Sequence, residues 1–491
     1  MIEKVGIIGA GIGGIAAAIR LANKGYAVTV FEANAYAGGK LSEIQVGPYR
    51  FDAGPSLFTM PQYVDELFTM SGKNPKDYFE YNRLDEICSY FWEDGTRLKV
   101  SADTAIFAQE VEKKLGEPAA KISKILKEAG HKYEILNGLF LENSMHKLST
   151  WTSKAALRGY LNLPKLGIFT TMNTANERAF KNPKLVQLFN RYATYNGSDP
   201  YQTPATLNII PHLEYNIGAF FPKKGMNSIT LSLLQLAKDV GVDFQFETKV
   251  EEILLEDKKV KALRTKNKEG KEAIWLCDKV VSNMDVTPTY RKLLPKAKHP
   301  DFLLNQAKSG SGLIFYWGIK GVFPELDLHS IFFSDDYKTE FEHQFKHKTI
   351  YKDPTIYLNI TSKHKADDAP AGCENWFLLI NAPANEGQDW EQIIADTRRN
   401  VIAKLSRILN RNIEELIDGE AILDPRTIES RTSSAQGALY GNSSNNKFAA
   451  FLRHANFSSK IGGLYFVGGS VHPGGGIPLA LSSAKIMAGL V

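Results

Sequence analysis

Short apolar runs separated by polar and glycine-rich stretches mark out the elements of this chain. Residues 5–8 (VGII) carry no polar side chain, as a strand covered on both faces requires. Gly9-x-Gly11-x-x-Gly14 follows, then an alanine-rich helical stretch, then a second apolar run at 27–31 that stops at Glu32. Farther on, 229–240 has helical periodicity, 243–250, 260–265 and 279–282 read as strands, and 251–260 alternates up to a charged turn. Near the other end, 463–467 reads as a buried strand, a glycine-rich turn follows, and 479–490 reads as a helix. Two insertions interrupt this series. One, 73–219, opens with strands at 88–92 and 97–100 and is then helix-rich; the other, 290–428, carries strand-like runs at 313–319, 331–334, 355–361 and 376–382 and a helical run at 389–409. At 491 residues the chain is too long for one core. The expected class is α/β. A Rossmann-type nucleotide domain is expected from 1–72, 220–289 and 429–491, a β-sheet substrate domain from 73–105 and 290–428, and a helical lid from 106–219.

The glycine spacing has a physical cause. Gly9 permits a tight turn, Gly11 lets backbone approach a pyrophosphate, and Gly14 lets helix pack on strand. The helix N-terminus then offers free N–H groups and the positive end of its dipole to phosphates. Glu32, where the second strand stops, is placed to accept hydrogen bonds from a ribose diol. The unit alone fits NAD or FAD. Gly38-Gly39-Lys40 and the later Phe51-Asp52-Ala53-Gly54-Pro55-Ser56 bring a second loop and a cation to the same place, a double cradle that suits FAD. At the C-terminal end, Gly468-Gly-Ser-Val-His472-Pro-Gly-Gly-Gly-Ile-Pro478 aims another helix N-terminus at an electron-rich group, such as the pyrimidine edge of a flavin. Gly310-Ser-Gly312 lacks a third glycine and a following alanine-rich helix, so no separate nicotinamide site is expected.

These motifs give the chain its family resemblance. The N-terminal half resembles the glutathione-reductase-like flavoproteins, and the C-terminal loop resembles that of bacterial and fungal carotenoid desaturases. Arg191-Tyr-Ala-Thr-Tyr195-Asn-Gly-Ser-Asp-Pro200-Tyr-Gln-Thr-Pro-Ala205 resembles a third run of that family, and Arg453 and Asn456 fall in a fourth. The chain departs at Val471, where the family has Thr or Ala, at Gly475, a third consecutive glycine, and at Lys224, which replaces the first glycine of P-x-G-G-M. The resemblance implies FAD held by Gly9, Ala10, Gly11, Gly13, Gly14, Glu32, Ala33, Gly39, Lys40, Gly54, Pro55, Ser56, Leu57, Val250, Asn283, Gly468, Gly469, Gly476, Ile477 and Pro478. It also implies a lipophilic carotenoid as substrate, hydride transfer from a saturated carbon to the flavin, and reoxidation by oxygen or a membrane quinone. Glu214, His212 and Arg191 are the candidates for proton handling, and His472 reads as a residue that fixes its loop. The expected branch is a phytoene-type desaturase or one that introduces a 3,4 double bond beside a hydroxylated end. The alternatives are an amine or porphyrinogen oxidase, a carotenoid isomerase, and a flavin-free isoprenoid carrier like the Rab GDP dissociation inhibitors.

Composition changes this picture little. The chain is 43% hydrophobic and 23% charged, with a net charge of +5. Cys88, Cys277 and Cys373 lack metal-ligand spacing, so neither a metal site nor a disulfide framework is expected. No run of about 18 apolar residues predicts a membrane span, and the N-terminus reads as a strand rather than a signal peptide. From 143 to 176 there is no acidic residue, while Lys147, Lys154, Arg158 and Lys165 interleave with Trp151, Leu157, Tyr160, Leu161, Leu163, Leu166, Ile168 and Phe169. That pattern predicts contact with an anionic membrane surface, hence a cytoplasmic, peripherally bound protein. Nucleic-acid binding is not expected, for want of a basic stripe with stacking aromatics elsewhere.

Overall fold

A computed structural model describes residues 2–449 and 452–491; Ala450 and Phe451, within the expected 429–491 segment, and Met1 lie outside the described residues. The fold is α/β. Its nucleotide-type sheet is parallel, in the order Leu464–Phe466, Lys279–Ser282, Lys4–Ile8, Ala27–Phe31, Asp243–Gln245. The central strand sets Ile7 opposite both Val30 and Val281. One face is covered by the first helix, Ile12–Asn23, and the last, Ile477–Ala488, which pack together and carry fully buried Ala16, Ala17, Ala18 and Ala484. Small side chains let these two N-termini converge. On the other face lies a three-stranded antiparallel sheet, Thr248–Glu256, Lys259–Asn267 and Glu272–Leu276. Leu263 and Trp275 from it close over Gly6, where a Cβ would meet Leu263 at 2.7 Å.

The expected strand at 243–250 is in fact two. Glu247 takes a left-handed φ of 51°, so Asp243–Gln245 joins the parallel sheet while Thr248–Glu256 turns into the antiparallel one.

The second large sheet combines both insertions. Its order is Ile417–Leu423, Ser311–Lys320, Cys373–Ala382, Ile356–Asn359, His329–Phe332, Glu86–Phe91, Arg97–Ser101. Phe315, Trp317, Leu358, Trp376, Leu378 and Phe332 on one face bury against helix Trp390–Leu409. Cross-strand register places Ile314, Leu379, Tyr357, Ile331 and Tyr90 in one row on the opposite face. That face looks toward the glycine loops and the helices between Ala119 and Ile217. Two details escaped the sequence pattern. The strand expected from 331 begins at His329, and Ile417–Leu423 forms an edge strand whose exposed positions alternate with half-buried ones.

Candidate functional site

Backbone builds the glycine end of the site. The Gly9 φ is 94°, and a Cβ on Gly14 would stand 2.2 Å from the Gly9 carbonyl oxygen. Gly38 N–H donates to Ala10 O at 2.8 Å, laying the second loop beside the first. Across that junction a Cβ on Gly39 would lie 3.7 Å from Gly11 Cα. A Cβ on Gly54 would meet Lys40 O at 2.1 Å, so the third loop is equally confined. Glu32 ends the second strand with Oε2 accepting Ala10 N–H at 2.8 Å and Oε1 accepting Asn34 N–H at 2.9 Å. Thr248 N–H donates to Glu32 O, and Val250 packs beside Ile8 and Phe31. Ala33 is exposed at the rim.

The last loop meets the first through Asn283. Its Nδ2 donates to Val467 O at 3.2 Å, and its side chain fills the space that Cβ atoms on Gly11, Gly13 and Gly468 would enter. Gly468 and Gly476 have φ values of 107° and 106°. Arg453 sits beneath this loop and donates to Tyr440 O, Gly469 O and Asn442 O. Asn456 donates to His472 O and Ser483 Oγ. His472 is buried, its Nε2 is 3.0 Å from Asn143 O, and burial pulls its imidazole down to about 4. It ties the loop to the 137–143 segment through Asn143.

The electrostatics of this cradle suit an anion. Neither the first nor the last helix has a side-chain cap or an acid in its first turn. Among the described residues Lys40 Nζ donates only to a carbonyl, Leu439 O at 3.1 Å, and desolvation pulls it down to about 8 against the opposing charge of Asp285. Desolvation likewise brings Arg453 down to about 10. Gly11, Gly39, Lys40, 53–57, Gly469, Gly476 and Pro478 stay partly accessible amid buried neighbours, whereas Ile477 is buried. Two cations with no carboxylate ion pair among the described residues, two uncapped helix ends and glycines such as Gly14 and Gly54 that tolerate no Cβ fit a pyrophosphate-bearing dinucleotide.

The sheet end is built from side chains. Tyr316 donates to Ala53 O at 2.6 Å and Tyr357 OH meets Ser56 Oγ at 2.7 Å, so the 53–57 loop hangs on the sheet. Tyr357, Leu379 and Asn381 are half-buried although they lie on central strands, so they border internal space. Above them, Arg191 and Glu214 form a buried ion pair at 3.0 Å. Tyr192 OH donates to Glu214 Oε2 at 2.6 Å, Arg191 Nε donates to Tyr90 OH at 2.8 Å, and the guanidinium lies over the rings of Tyr90, Tyr192 and Tyr195. Glu214 and its neighbours raise the Arg191 pKa despite burial. His212 takes another direction. It packs on Tyr133 at 4.7 Å with Nδ1 2.7 Å from Asn216 Nδ2, and burial lowers its pKa. The structure therefore brings Arg191 and Glu214 together and keeps His212 apart.

Side chains from distant segments were missed by sequence reasoning: Tyr90, Tyr192, Tyr316, His329 and Tyr357. Only Tyr192 lay in a noted motif. A separate cleft of about 690 Å³ opens between helix Pro183–Asn190 and the sheet rim at Trp92, Ser334 and Tyr337, away from the glycine cradle.

Fold and cradle together define a class. The chain belongs to the flavin containing amine oxidoreductases, whose family model matches residues 12–491. It is 52% identical over 489 residues to the 1-hydroxycarotenoid 3,4-desaturase of Flavobacterium sp. (strain P99-3), covering 100% of this chain and 99% of that one. It is 31% identical to the 4,4'-diapolycopene oxygenase of Methylomonas sp, over 99% of this chain and 97% of that protein. An oxidoreductase structure from Methanosarcina mazei shares the fold with a TM-score of 0.60 at 14% identity, over 98% of each chain.

Proposed function

We propose that this protein is an FAD-dependent carotenoid desaturase that introduces a 3,4 double bond beside a hydroxylated end group. The observation that carries the reading is 52% identity, from end to end, to a desaturase of that name. An intact dinucleotide cradle supports it. Bound FAD supplies the two-electron acceptor for a hydride leaving a saturated carbon next to the polyene. Conjugation stabilises the positive charge left behind, so the residues have mainly to position the polyene and keep water out. Ile314, Leu379, Tyr357, Ile331 and Tyr90 provide a flat apolar floor for it. Glu214 is the group placed to handle the departing proton, Arg191 fixes it, and His212 serves lid packing. Oxygen or a membrane quinone would take up the electrons that bound flavin receives. The division into nucleotide, sheet and lid domains belongs to the same reading.

Expression in a host that accumulates a hydroxylated acyclic carotenoid tests this, with pigments analysed by absorbance and mass. Longer conjugation with loss of two hydrogens is expected. Unchanged pigment from a flavin-loaded protein, or oxygen uptake on amines instead, rejects the reading.

The substrate's low solubility in water supports a membrane surface as the place where the protein works. No helix among the described residues is long and apolar enough to cross a bilayer. The 143–176 region folds into short segments, among them Leu148–Trp151 and Lys154–Leu161, with Ala156, Gly159 and Leu166 buried inward. Outward stand Leu148 at 80%, Leu161 at 74% and Phe169 at 85% exposure. Exposed apolar groups with basic neighbours suit the cytoplasmic face of an anionic leaflet, where each base contributes about 1 kcal/mol. Flotation with anionic vesicles should fall in Lys154→Glu/Arg158→Glu; flotation indifferent to both lipid charge and this change rejects the surface.

A further inference from the structure

His329 carries a hydrogen-bonding atom that the protein itself leaves uncommitted. Strand His329–Phe332 sets His329 and Ile331 on the floor face, beside Tyr357 and Asn359. Asn359 Nδ2 donates to Leu328 O at 3.0 Å, which fixes the orientation of the amide. The same nitrogen stands 3.2 Å from His329 Nδ1. An amide nitrogen only donates, so Nδ1 accepts and the ring proton resides on Nε2. Tyr357 accordingly donates to Nδ1 at 2.8 Å and accepts from Ser56 Oγ at 2.7 Å. Burial, with Arg191 and His364 adding to it and Asp327 opposing, pulls the imidazole down to about 3 and keeps it neutral. The residue is 3% exposed, and Nε2 has no partner among the described residues. Buried donors in native proteins are nearly always paired. This one awaits an acceptor from outside the chain.

The other end of the relay indicates which acceptor. Ser56 belongs to the loop that borders the cradle, one tyrosine away from the imidazole. In a 1-hydroxy polyene oxidised at the 3,4 bond, one methylene separates the oxygen-bearing carbon from that bond. The oxygen must therefore rest close to the reacting carbons, on a floor lined elsewhere by Ile314, Ile331, Leu379 and Tyr90, with Asn381 at its far strand. Arg191 and Glu214 are committed to each other there, and Tyr357 and Asn359 to His329 and its neighbours.

We propose that His329 Nε2–H is the donor that receives the hydroxyl oxygen of the substrate's end group, which makes His329 a specificity-determining residue. This rests on the hydroxycarotenoid reading above. The test titrates the FAD-loaded enzyme with a 1-hydroxy polyene and with its parent hydrocarbon, reading tryptophan quenching and kcat/KM. Wild type is expected to favour the hydroxylated compound roughly tenfold or more. His329→Phe, which keeps a ring against Tyr357 but has no donor, should bring that ratio to about one. His329→Gln, whose amide both accepts and donates, should keep part of it. A preference that survives in His329→Phe, or none in wild type, overturns the proposal. Should His329→Phe not fold, ¹⁵N-histidine spectra of wild type decide, with the resonance that His329→Gln removes taken as His329. Its Nε2–H signal should move with the hydroxylated compound and not with the hydrocarbon, and a signal indifferent to both overturns the proposal. A preference that depends on His329, in an enzyme that desaturates no hydroxylated carotenoid, would leave His329 its role and reject the reaction instead.

Discussion

The glycine cradle and the sheet floor meet at the 53–57 loop, yet they are built from different material. The cradle is backbone: its shape depends on Gly14 and Gly54, where a Cβ would stand 2.2 and 2.1 Å from a carbonyl oxygen. The floor and its cover are side chains drawn from positions 56, 90, 191, 214, 329 and 357, held by phenol, guanidinium, carboxylate and imidazole. Backbone cradles recognise what all cofactors of a fold share, and the group proposed for this one is a pyrophosphate. Side-chain floors are free to vary and so carry specificity.

Separation of the two regions is broken most severely from the cradle side. Gly14→Val drives a branched side chain into the first turn, and flavin affinity should fall at least about hundredfold, read as loss of visible flavin absorbance in the purified protein. Colour retained at wild-type level would mean that the glycines are not the cradle. Next comes Arg191→Leu, which leaves Glu214 buried and unpaired. The expected loss is about 3–5 kcal/mol of stability, measured by denaturant unfolding. Flavin content in the fraction that folds should stay at the wild-type level, because the pair lies on the floor side. Flavin lost in proportion to stability would show that the two regions are one unit.

The same difference decides what could be read from sequence. Glycines constrain backbone at fixed spacing, so Gly9, Gly11 and Gly14, followed by Glu32, announced the cradle before any fold was known. The loop residues Gly468 and Gly476 were legible for the same reason. Arg191 and Glu214 stand in and just after a run that resembles the family's, but their pairing depends on the 191–196 and 213–217 turns meeting in space. His212 was noticed on equal grounds and faces the other way, since helical phase across the 210–217 turns is not evident from so short a stretch. His329 and Tyr357 gave no signal. Tyr357 lies on a run that reads as core and His329 just before one, and the bond from Tyr357 to Ser56 spans 301 residues. The split of 243–250 was hidden as well, because nothing in an apolar alternating run marks Glu247 for a left-handed turn.

Lys40 sharpens the comparison through pH. In the flavin-free protein its pKa lies at about 8 against 10.5 in the unfolded chain. Between those values the unfolded chain binds a proton that the native state does not, so this residue makes stability rise with pH across that window and level off above it. If Lys40 meets the pyrophosphate as proposed, nucleotide affinity runs the other way, since its charge is lost above about pH 8. Flavin fluorescence titrations should show affinity weakening from pH 8 to 10. Lys40→Met should bind roughly tenfold more weakly at pH 7 and show a flatter profile. An unchanged profile would place the anion elsewhere.

The smallest effect should arise at the seam itself. Tyr357→Phe removes one hydroxyl that touches the cradle loop at Ser56 and the floor at His329. Two hydrogen bonds disappear together, but Ser56 is half-buried and can turn to another partner, and His329 Nδ1 keeps the Asn359 amide. The net cost should be about 1 kcal/mol, seen as a slight fall in melting temperature with flavin content unchanged. The ratio of kcat/KM for hydroxylated over parent polyene should fall by less than in His329→Phe, because the Asn359 contact still holds the proton on Nε2. A fall as large as in His329→Phe would mean that the ring proton is set by Tyr357 instead, and that the loop nearest the cofactor, not the sheet, governs which substrate is recognised.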